Sequence, residues 1–178
     1  MQAMKWSGSL ILAFCLLVCF GCCQVEKDPI IYRQAFEINL TPKPSYLKID
    51  SGYFELNRKT VILTWNDSTT GANYLQHLIA ENSTFSPEII KIKGEEFRQY
   101  PNYIMLNNET KTIGHEVYSL VIDTNRVAIS AMGNQGVLNG MQALKQLFVF
   151  DFDKGHKRNN WYLPTIEIEN IPVLDSFK

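Results

Sequence analysis

The sequence HEVYSLVIDTNRVAISAMGNQGVLNGMQALKQLF, residues 115–148, decides the fold. Over 117–122 and again over 126–131, larger apolar residues alternate with smaller or polar ones, and Thr124 and Asn125 lie between the two runs. Alternation with a period of two around a short polar turn predicts a β-hairpin. The residues expected on its buried face are Tyr118, Leu120, Ile122, Val127, Ile129 and Ala131.

A helix is predicted directly after this hairpin. The residues that recur at helical spacing along one apolar stripe are Val137, Leu138, Met141, Leu144, Leu147 and Phe148. The residues expected on its wetter sides are Asn139, Gln142, Lys145 and Gln146. Such a stripe predicts that the helix packs on the sheet that contains the hairpin.

Gly136 and Gly140 lie four residues apart in the first turns of this helix. Glycine in a helix costs about 1 kcal/mol relative to alanine, so the missing side chains need an explanation. One explanation is a close approach of the helix backbone to the sheet, and the other is an anion bound at a glycine-rich helix N-terminus. Packing is favoured, because no Gly-x-Gly-x-x-Gly or Gly-Lys-Ser/Thr pattern accompanies the pair.

Taken together, these residues resemble the end of the non-catalytic N-terminal domain of family 20 β-N-acetylhexosaminidases. The matching residues, in chain order, are Tyr118, Leu120, Ile122, Gly136, Gly140, Gln142, Leu144, Gln146 and Leu147. Ala143 stands where the family usually has Thr. The resemblance extends from about Phe36 to Pro172 and implies an accessory domain of a glycosidase.

The composition excludes several classes of function. A chain of 178 residues, 46% hydrophobic and 20% charged, is long enough for one ordinary globular domain. A formal net charge of −1 provides no basic field, so no nucleic acid partner is expected. All four cysteines fall at or before position 23, which excludes a cysteine nucleophile, a thiolate metal site and an internal disulfide from the folded part.

Residues 1–22 have the pattern of an export signal. Lys5 is the positive residue, 10–20 form the apolar segment, and a glycine precedes Cys22. The apolar run is shorter than the roughly 20 residues that a membrane-spanning helix needs. A Gly-Cys pair in this place resembles a bacterial lipoprotein signal, which implies lipidation of Cys22, or of the neighbouring Cys23, and anchoring to a membrane of the cell envelope.

A plain secretory signal is the alternative, and it would leave the chain secreted or periplasmic. Four Asn-x-Ser/Thr sequons, which matter only in a eukaryotic secretory pathway, give it some support. They begin at Asn39, Asn66, Asn82 and Asn108. Because such tripeptides arise by chance in an asparagine-rich chain, the lipoprotein is the favoured interpretation.

After the signal, residues 23–34 read as a polar tether. The elements that the sequence patterns predict beyond it are an edge strand over 36–40, a central strand over 60–65, a helix over 71–82, and short strands over 89–93 and 103–106. The family resemblance implies two more, a hairpin over 46–56 with its turn at Ser51-Gly52 and a final strand over 165–171. Residues 94–101 are expected to form a polar connection. His77, inside the first helix, has no second ligand at metal-binding spacing and is expected at the surface.

These patterns predict an α+β fold. Short turns between consecutive strands favour antiparallel neighbours, and the two helices must bury their stripes on one face of the sheet. We expect a two-layer sandwich with a mainly antiparallel sheet of about five to seven strands. The domain is expected over 35–172, and 173–178 would begin a linker to a catalytic barrel.

The resemblance also implies where the chemistry lies. The family hydrolyses its substrates with an adjacent Asp-Glu pair, in which Glu is the general acid and Asp orients the acetamido group of the substrate. The pair lies in a barrel of eight parallel strands, which takes roughly 250 residues. This sequence contains no Asp-Glu dipeptide, and neither Glu95-Glu96 nor Glu167 with Glu169 has that setting. We therefore expect no catalytic, cofactor or metal site in the chain.

Two hypotheses follow. In the first, the chain is a fragment of an exported β-N-acetylhexosaminidase, with the catalytic barrel as its missing partner in cis and N-acetylhexosamine glycans as partners of the parent enzyme. In the second, it is a free-standing lipid-anchored module that binds carbohydrate or protein. A lesser option is a relative that carries another glycosidase barrel. The first is favoured, and its structural motif is formed by Tyr118, Gly136, Gly140, Gln142 and Gln146.

Overall fold

The computed structural model describes residues 38–65, 69–109, 116–148 and 157–171. The expected signal peptide over 1–22, the lipidation site Cys22, the tether over 23–34 and the linker over 173–178 lie outside the described residues. In the described part, no helix is long and apolar enough to cross a membrane.

Within the described residues, seven strands and two α-helices make up the fold. Their bounds are β1 Tyr46–Leu56, β2 Val61–Trp65, α1 Thr69–Asn82, β3 Ile89–Lys91, β4 Tyr103–Asn108, β5 Tyr118–Ile122, β6 Arg126–Ala131, α2 Asn134–Leu147 and β7 Trp161–Asn170. A 3₁₀ turn, Glu96–Gln99, lies between β3 and β4.

The seven strands form one sheet in the order β1-β7-β5-β6-β4-β2-β3. Pairing is antiparallel between β1 and β7, β7 and β5, and β5 and β6. It is parallel between β6 and β4, β4 and β2, and β2 and β3. The predicted α+β two-layer sandwich with two helices on one face is confirmed, and the sheet has an antiparallel half and a parallel half. The strand expected over 60–65 forms β2, which has a neighbour on each side.

The main core lies between the helices and the sheet. The predicted hairpin is confirmed as β5 and β6, which place Leu120 opposite Ile129 with both side chains fully buried. The apolar stripe of α2 is confirmed at Val137, Met141, Leu144, Leu147 and Phe148. Leu138, which was expected in the same stripe, is 40% exposed. It lies about 100° around the helix from Val137, on the side away from the other buried residues.

A smaller apolar cluster lies on the opposite face of the sheet. It consists of Leu63, Ile92 and Tyr103, with Phe97 and Tyr100 packed against them. The ring centroids of Phe97 and Tyr103 are 6.2 Å apart. The connection over 94–101, expected to be merely polar, therefore covers one end of the parallel half through its 3₁₀ turn.

The hairpin predicted over 46–56 is wrong, because these residues form the single edge strand β1. Its partner is β7 throughout, with the register shifted between Ile49 and Tyr53. Gly52, expected in a tight turn, instead lies in a β-bulge and has a φ of +117°. A bulge places an extra residue in one strand, and here that residue has a positive φ, which glycine tolerates best. The Thr165 hydroxyl donates to the backbone oxygens of Asp50 and Gly52, at 2.9 and 3.2 Å.

The beginning of β1 lies beside the end of β7, where Tyr46 pairs with Glu169. The Ser45 hydroxyl closes this corner: it donates to the Glu169 backbone oxygen at 2.8 Å and accepts from the Ile171 amide at 3.0 Å. The described part of the edge strand predicted over 36–40 is not a strand. Leu40 instead packs into the main core.

Candidate functional site

The motif predicted from the sequence lies where α2 crosses β5 and β6. A β-carbon built on Gly136 would overlap the backbone oxygen of Val117, and one built on Gly140 would lie 2.7 Å from Cγ2 of Ile129. The same β-carbon on Gly140 would lie 3.3 Å from the Tyr118 ring. Both glycines therefore let the helix backbone approach the sheet more closely than any other residue type would allow.

Tyr118 packs beneath α2, and only 5% of it is exposed. Burial raises the pKa of the Tyr118 hydroxyl above its usual value of 10.0, so the group is a neutral donor at physiological pH. Among the described residues, this hydroxyl has no hydrogen-bond partner. That is unusual, because the large majority of buried polar side-chain atoms are hydrogen-bonded.

Gln146 fixes the segment that precedes β1. Its side-chain oxygen accepts from the Thr41 amide at 2.8 Å, and its side-chain nitrogen donates to the Thr41 backbone oxygen at 3.0 Å. One glutamine amide thus satisfies both backbone groups of a residue 105 positions away. The segment over 40–42 is held against the side of α2 as a result.

A cavity of about 160 Å³ lies between this segment and α2. Three of the five motif residues, Tyr118, Gln142 and Gln146, contribute to its wall. The remaining polar contributions come from Thr41, Glu116, Asn139 and Asn170, and the apolar ones from Leu40, Pro42 and Ala143. No Lys, Arg or His is among these lining residues, all of which the structure describes.

Sequence reasoning missed Glu116, Asn139 and Asn170 as members of this site. Asn170 reaches it because β5 and β7 pair in a register that places Asn170 beside Tyr118. No local pattern reports that register, because β6 and α2 lie between the two strands and Tyr118 and Asn170 are about fifty positions apart in the chain. In the sequence, only the motif pointed to this cavity, and it identified the part of the wall that Tyr118, Gln142 and Gln146 form.

The acidic residues singled out in the sequence, Glu95, Glu96, Glu167 and Glu169, do not come together in one site. Glu95 binds Arg98 at 3.1 Å, and Glu96 accepts from the Lys93 amide at 2.9 Å. Glu167 and Glu169 alternate with the buried Ile166 and Ile168 along β7 and so lie on the face away from the helices. Within the described ranges, no group of three or more His, Cys, Asp or Glu residues could hold a metal ion. His77 is exposed, as predicted.

The chain matches a known protein family. The family model described as glycosyl hydrolase family 20, domain 2, matches residues 37–170. No curated protein sequence matches the chain at a significant level.

Several solved enzymes share the fold. The chitobiase of Flavobacterium johnsoniae is 26% identical, with a TM-score of 0.51 over 74% of this chain and 20% of that one. The family 20 β-N-acetylhexosaminidase of Streptomyces coelicolor A3(2) is 21% identical, with a TM-score of 0.59 over 72% of this chain and 25% of that one. The family 20 exo-β-N-acetylglucosaminidase of Vibrio harveyi, solved with N-acetylglucosamine, is 15% identical, with a TM-score of 0.57 over 74% and 19%.

This chain therefore spans a quarter or less of the length of these solved enzymes. The family model, in contrast, covers three quarters of this chain, from the segment before β1 to the end of β7. The chain belongs to glycosyl hydrolase family 20, of which it carries domain 2.

Proposed function

We propose that this chain is the N-terminal accessory part of an exported β-N-acetylhexosaminidase, an enzyme that hydrolyses terminal non-reducing N-acetylhexosamine residues. The observation that carries the proposal is the match of residues 37–170 to domain 2 of the family. Solved structures of the same fold, named as family 20 enzymes, support it. The parent enzyme contributes the catalytic domain, which is the partner of this domain in cis.

In this proposal the chemistry belongs to the catalytic domain. Cleavage of a glycosidic bond needs a proton donor at the leaving oxygen and a second group that stabilises the oxocarbenium-like centre. The family supplies them from an adjacent Asp-Glu pair, and this sequence contains no such dipeptide. We assign domain 2 no step of the reaction, and the glycosidic bond that is cleaved lies in the barrel.

The experiment is a comparison of two proteins. The purified 178-residue chain should not hydrolyse an aryl N-acetyl-β-glucosaminide above a buffer blank. The same chain joined to a family 20 barrel with its Asp-Glu pair should hydrolyse it, and the same fusion with that pair replaced by Asn-Gln is the control. Turnover by the 178-residue chain that survives repurification and disappears in Glu116→Gln would contradict the proposal.

The runner-up function is a free-standing lipid-anchored binding module, and the polar cavity beside α2 is the observation that favours it. The DNA after codon 178 distinguishes the two. A continuation that encodes a barrel with an Asp-Glu pair, in frame or after a frameshift, supports the enzyme, and unrelated sequence supports the module.

Under either function we propose export through residues 1–22 and attachment to a bacterial membrane through a lipid on Cys22.

A further inference from the structure

We propose that the cavity beside α2 binds one neutral sugar unit, with the Tyr118 hydroxyl as its buried hydrogen-bonding group. The choice of N-acetylhexosamine as that sugar rests on the proposed function. The cavity itself and its preference for a neutral, hydroxyl-rich ring rest on the residues that line it.

The Tyr118 hydroxyl has no hydrogen-bond partner among the described residues, although only 5% of the residue is exposed. The ring alone accounts for the packing beneath Gly140, and a phenylalanine would provide the same packing without a polar atom to satisfy. The residue borders the cavity, so this hydroxyl can bind water or a ligand that enters from outside the protein.

Further hydrogen-bonding groups surround the same space. The side-chain amides of Gln142 and Asn170 each offer two donors and an acceptor, and no other described residue binds them. Asn139 accepts from Gln135 at 3.0 Å through its side-chain oxygen, which leaves its side-chain nitrogen available. Sugar hydroxyls both donate and accept, so they match this mixture of amides and a phenol.

The charge and the size of the cavity limit which ligands fit it. Without a cation in its wall the cavity offers nothing to hold a phosphate or a carboxylate, and Glu116 would repel either. The volume of about 160 Å³ is that of about five waters, which suits a single ring but not an extended glycan. Leu40, Pro42 and Ala143 form apolar wall on which the C–H face of a sugar ring or an acetyl methyl group can pack.

The test measures binding by the 178-residue chain without any barrel. N-acetylglucosamine is the probe, observed by saturation-transfer NMR and by titration of protein chemical shifts. We expect saturable binding in the millimolar range, because a small ligand held by a few neutral hydrogen bonds gains little free energy per atom. Tyr118→Phe should weaken binding at least tenfold. Its melting temperature should stay equal to that of the wild type or rise, because no partner of the hydroxyl is lost.

Two further variants make the test specific. Gln142→Ala should also weaken binding, since it removes an amide from the cavity wall. Lys145→Ala is the matched control: this residue is exposed on the same helix, is not part of the wall and should bind like the wild type.

Absence of saturation transfer from the wild-type protein to the sugar, together with unchanged protein chemical shifts, would overturn the proposal. Binding unchanged in Tyr118→Phe would overturn it as well, and so would a lower melting temperature of that variant, which would reveal a structural partner of the hydroxyl. If the chain binds no sugar, the proposed enzyme function is unaffected. If no barrel is encoded after codon 178, measured sugar binding is unaffected, so the two proposals can fail separately.

Discussion

At the scale of single residues, Gly136 and Gly140 set the distance between α2 and the sheet. In an isolated helix each would cost about 1 kcal/mol relative to alanine. In this fold their absent side chains leave room for the Val117 backbone and for the side chains of Ile129 and Tyr118. Close packing of the helix on β5 and β6 compensates for this cost, and the stability that it contributes can be measured by mutation.

Gly140→Val is expected to destabilise the domain by about 1–3 kcal/mol, because a branched side chain would be forced against Ile129 and Tyr118. Thermal or urea unfolding measures the loss. Lys145→Val is the control, since it places the same side chain on an exposed position of the same helix. Equal stability of the two variants would show that Gly140 does not contact the sheet.

Tyr118 gives a prediction about pH. Its pKa is raised by burial, so the unfolded chain loses this proton at a lower pH than the folded chain does. Stability is unaffected below the unfolded pKa of about 10 and decreases as the pH rises above it, because the unfolded state then binds fewer protons. Tyr118→Phe removes this contribution. The melting temperature of the variant should therefore fall less steeply than that of the wild type between about pH 9 and about pH 11, and parallel curves would contradict the prediction.

At the scale of elements, sequence patterns predicted the parts of the fold that are local. The strands β5 and β6 and the helix α2 follow one another and bury side chains with a strict period, so their type and their buried faces could be predicted. The residues of β1 carry the same local signals as a hairpin, since the Ser51-Gly52 pair suits a turn as well as a bulge. Only the distant partner β7 decides between the two.

Gly52→Ala tests the bulge. Alanine is strained at a φ of +117°, and a residue held in such a conformation costs on the order of 1–3 kcal/mol. Ser51→Ala, the exposed neighbour in the same strand, serves as the control and should unfold like the wild type within about 0.5 kcal/mol. Equal stability of both variants would show that the chain at Gly52 relaxes to an ordinary strand conformation.

At the scale of the whole molecule, the sheet combines contacts that a linear pattern does not report. The parallel half arises because β2 and β4 pair across α1 and β3, and β4 and β6 pair across β5. The candidate site has the same origin: α2 contributes Gln142, while the segment before β1 and the end of β7 bring Leu40 and Asn170 to it. The motif could be recognised in the sequence, but the cavity that it borders could not.

The proposed anchor also belongs to this scale, because it determines where the whole molecule resides. Metabolic labelling with a fatty-acid analogue in a bacterial host should mark the wild type and leave Cys22→Ala unlabelled. Cys23→Ala is the matched control and should be labelled. Label that persists in Cys22→Ala and disappears in Cys23→Ala would move the site by one residue, and no label in the wild type would leave an ordinary export signal.

The corner where β1 begins and β7 ends has a mechanical consequence. Tyr46 and Glu169 are paired at this end of β1 and β7. A force that separates them acts perpendicular to the two strands, so it breaks the hydrogen bonds between β1 and β7 one after another rather than all at once. On the N-terminal side such a pull first meets the two hydrogen bonds between Gln146 and Thr41. The Ser45 hydroxyl, which binds Glu169 and Ile171, comes next. If the proposed tether lies on one side and a large domain on the other, the side chains of one glutamine and one serine would bear the load before the sheet does.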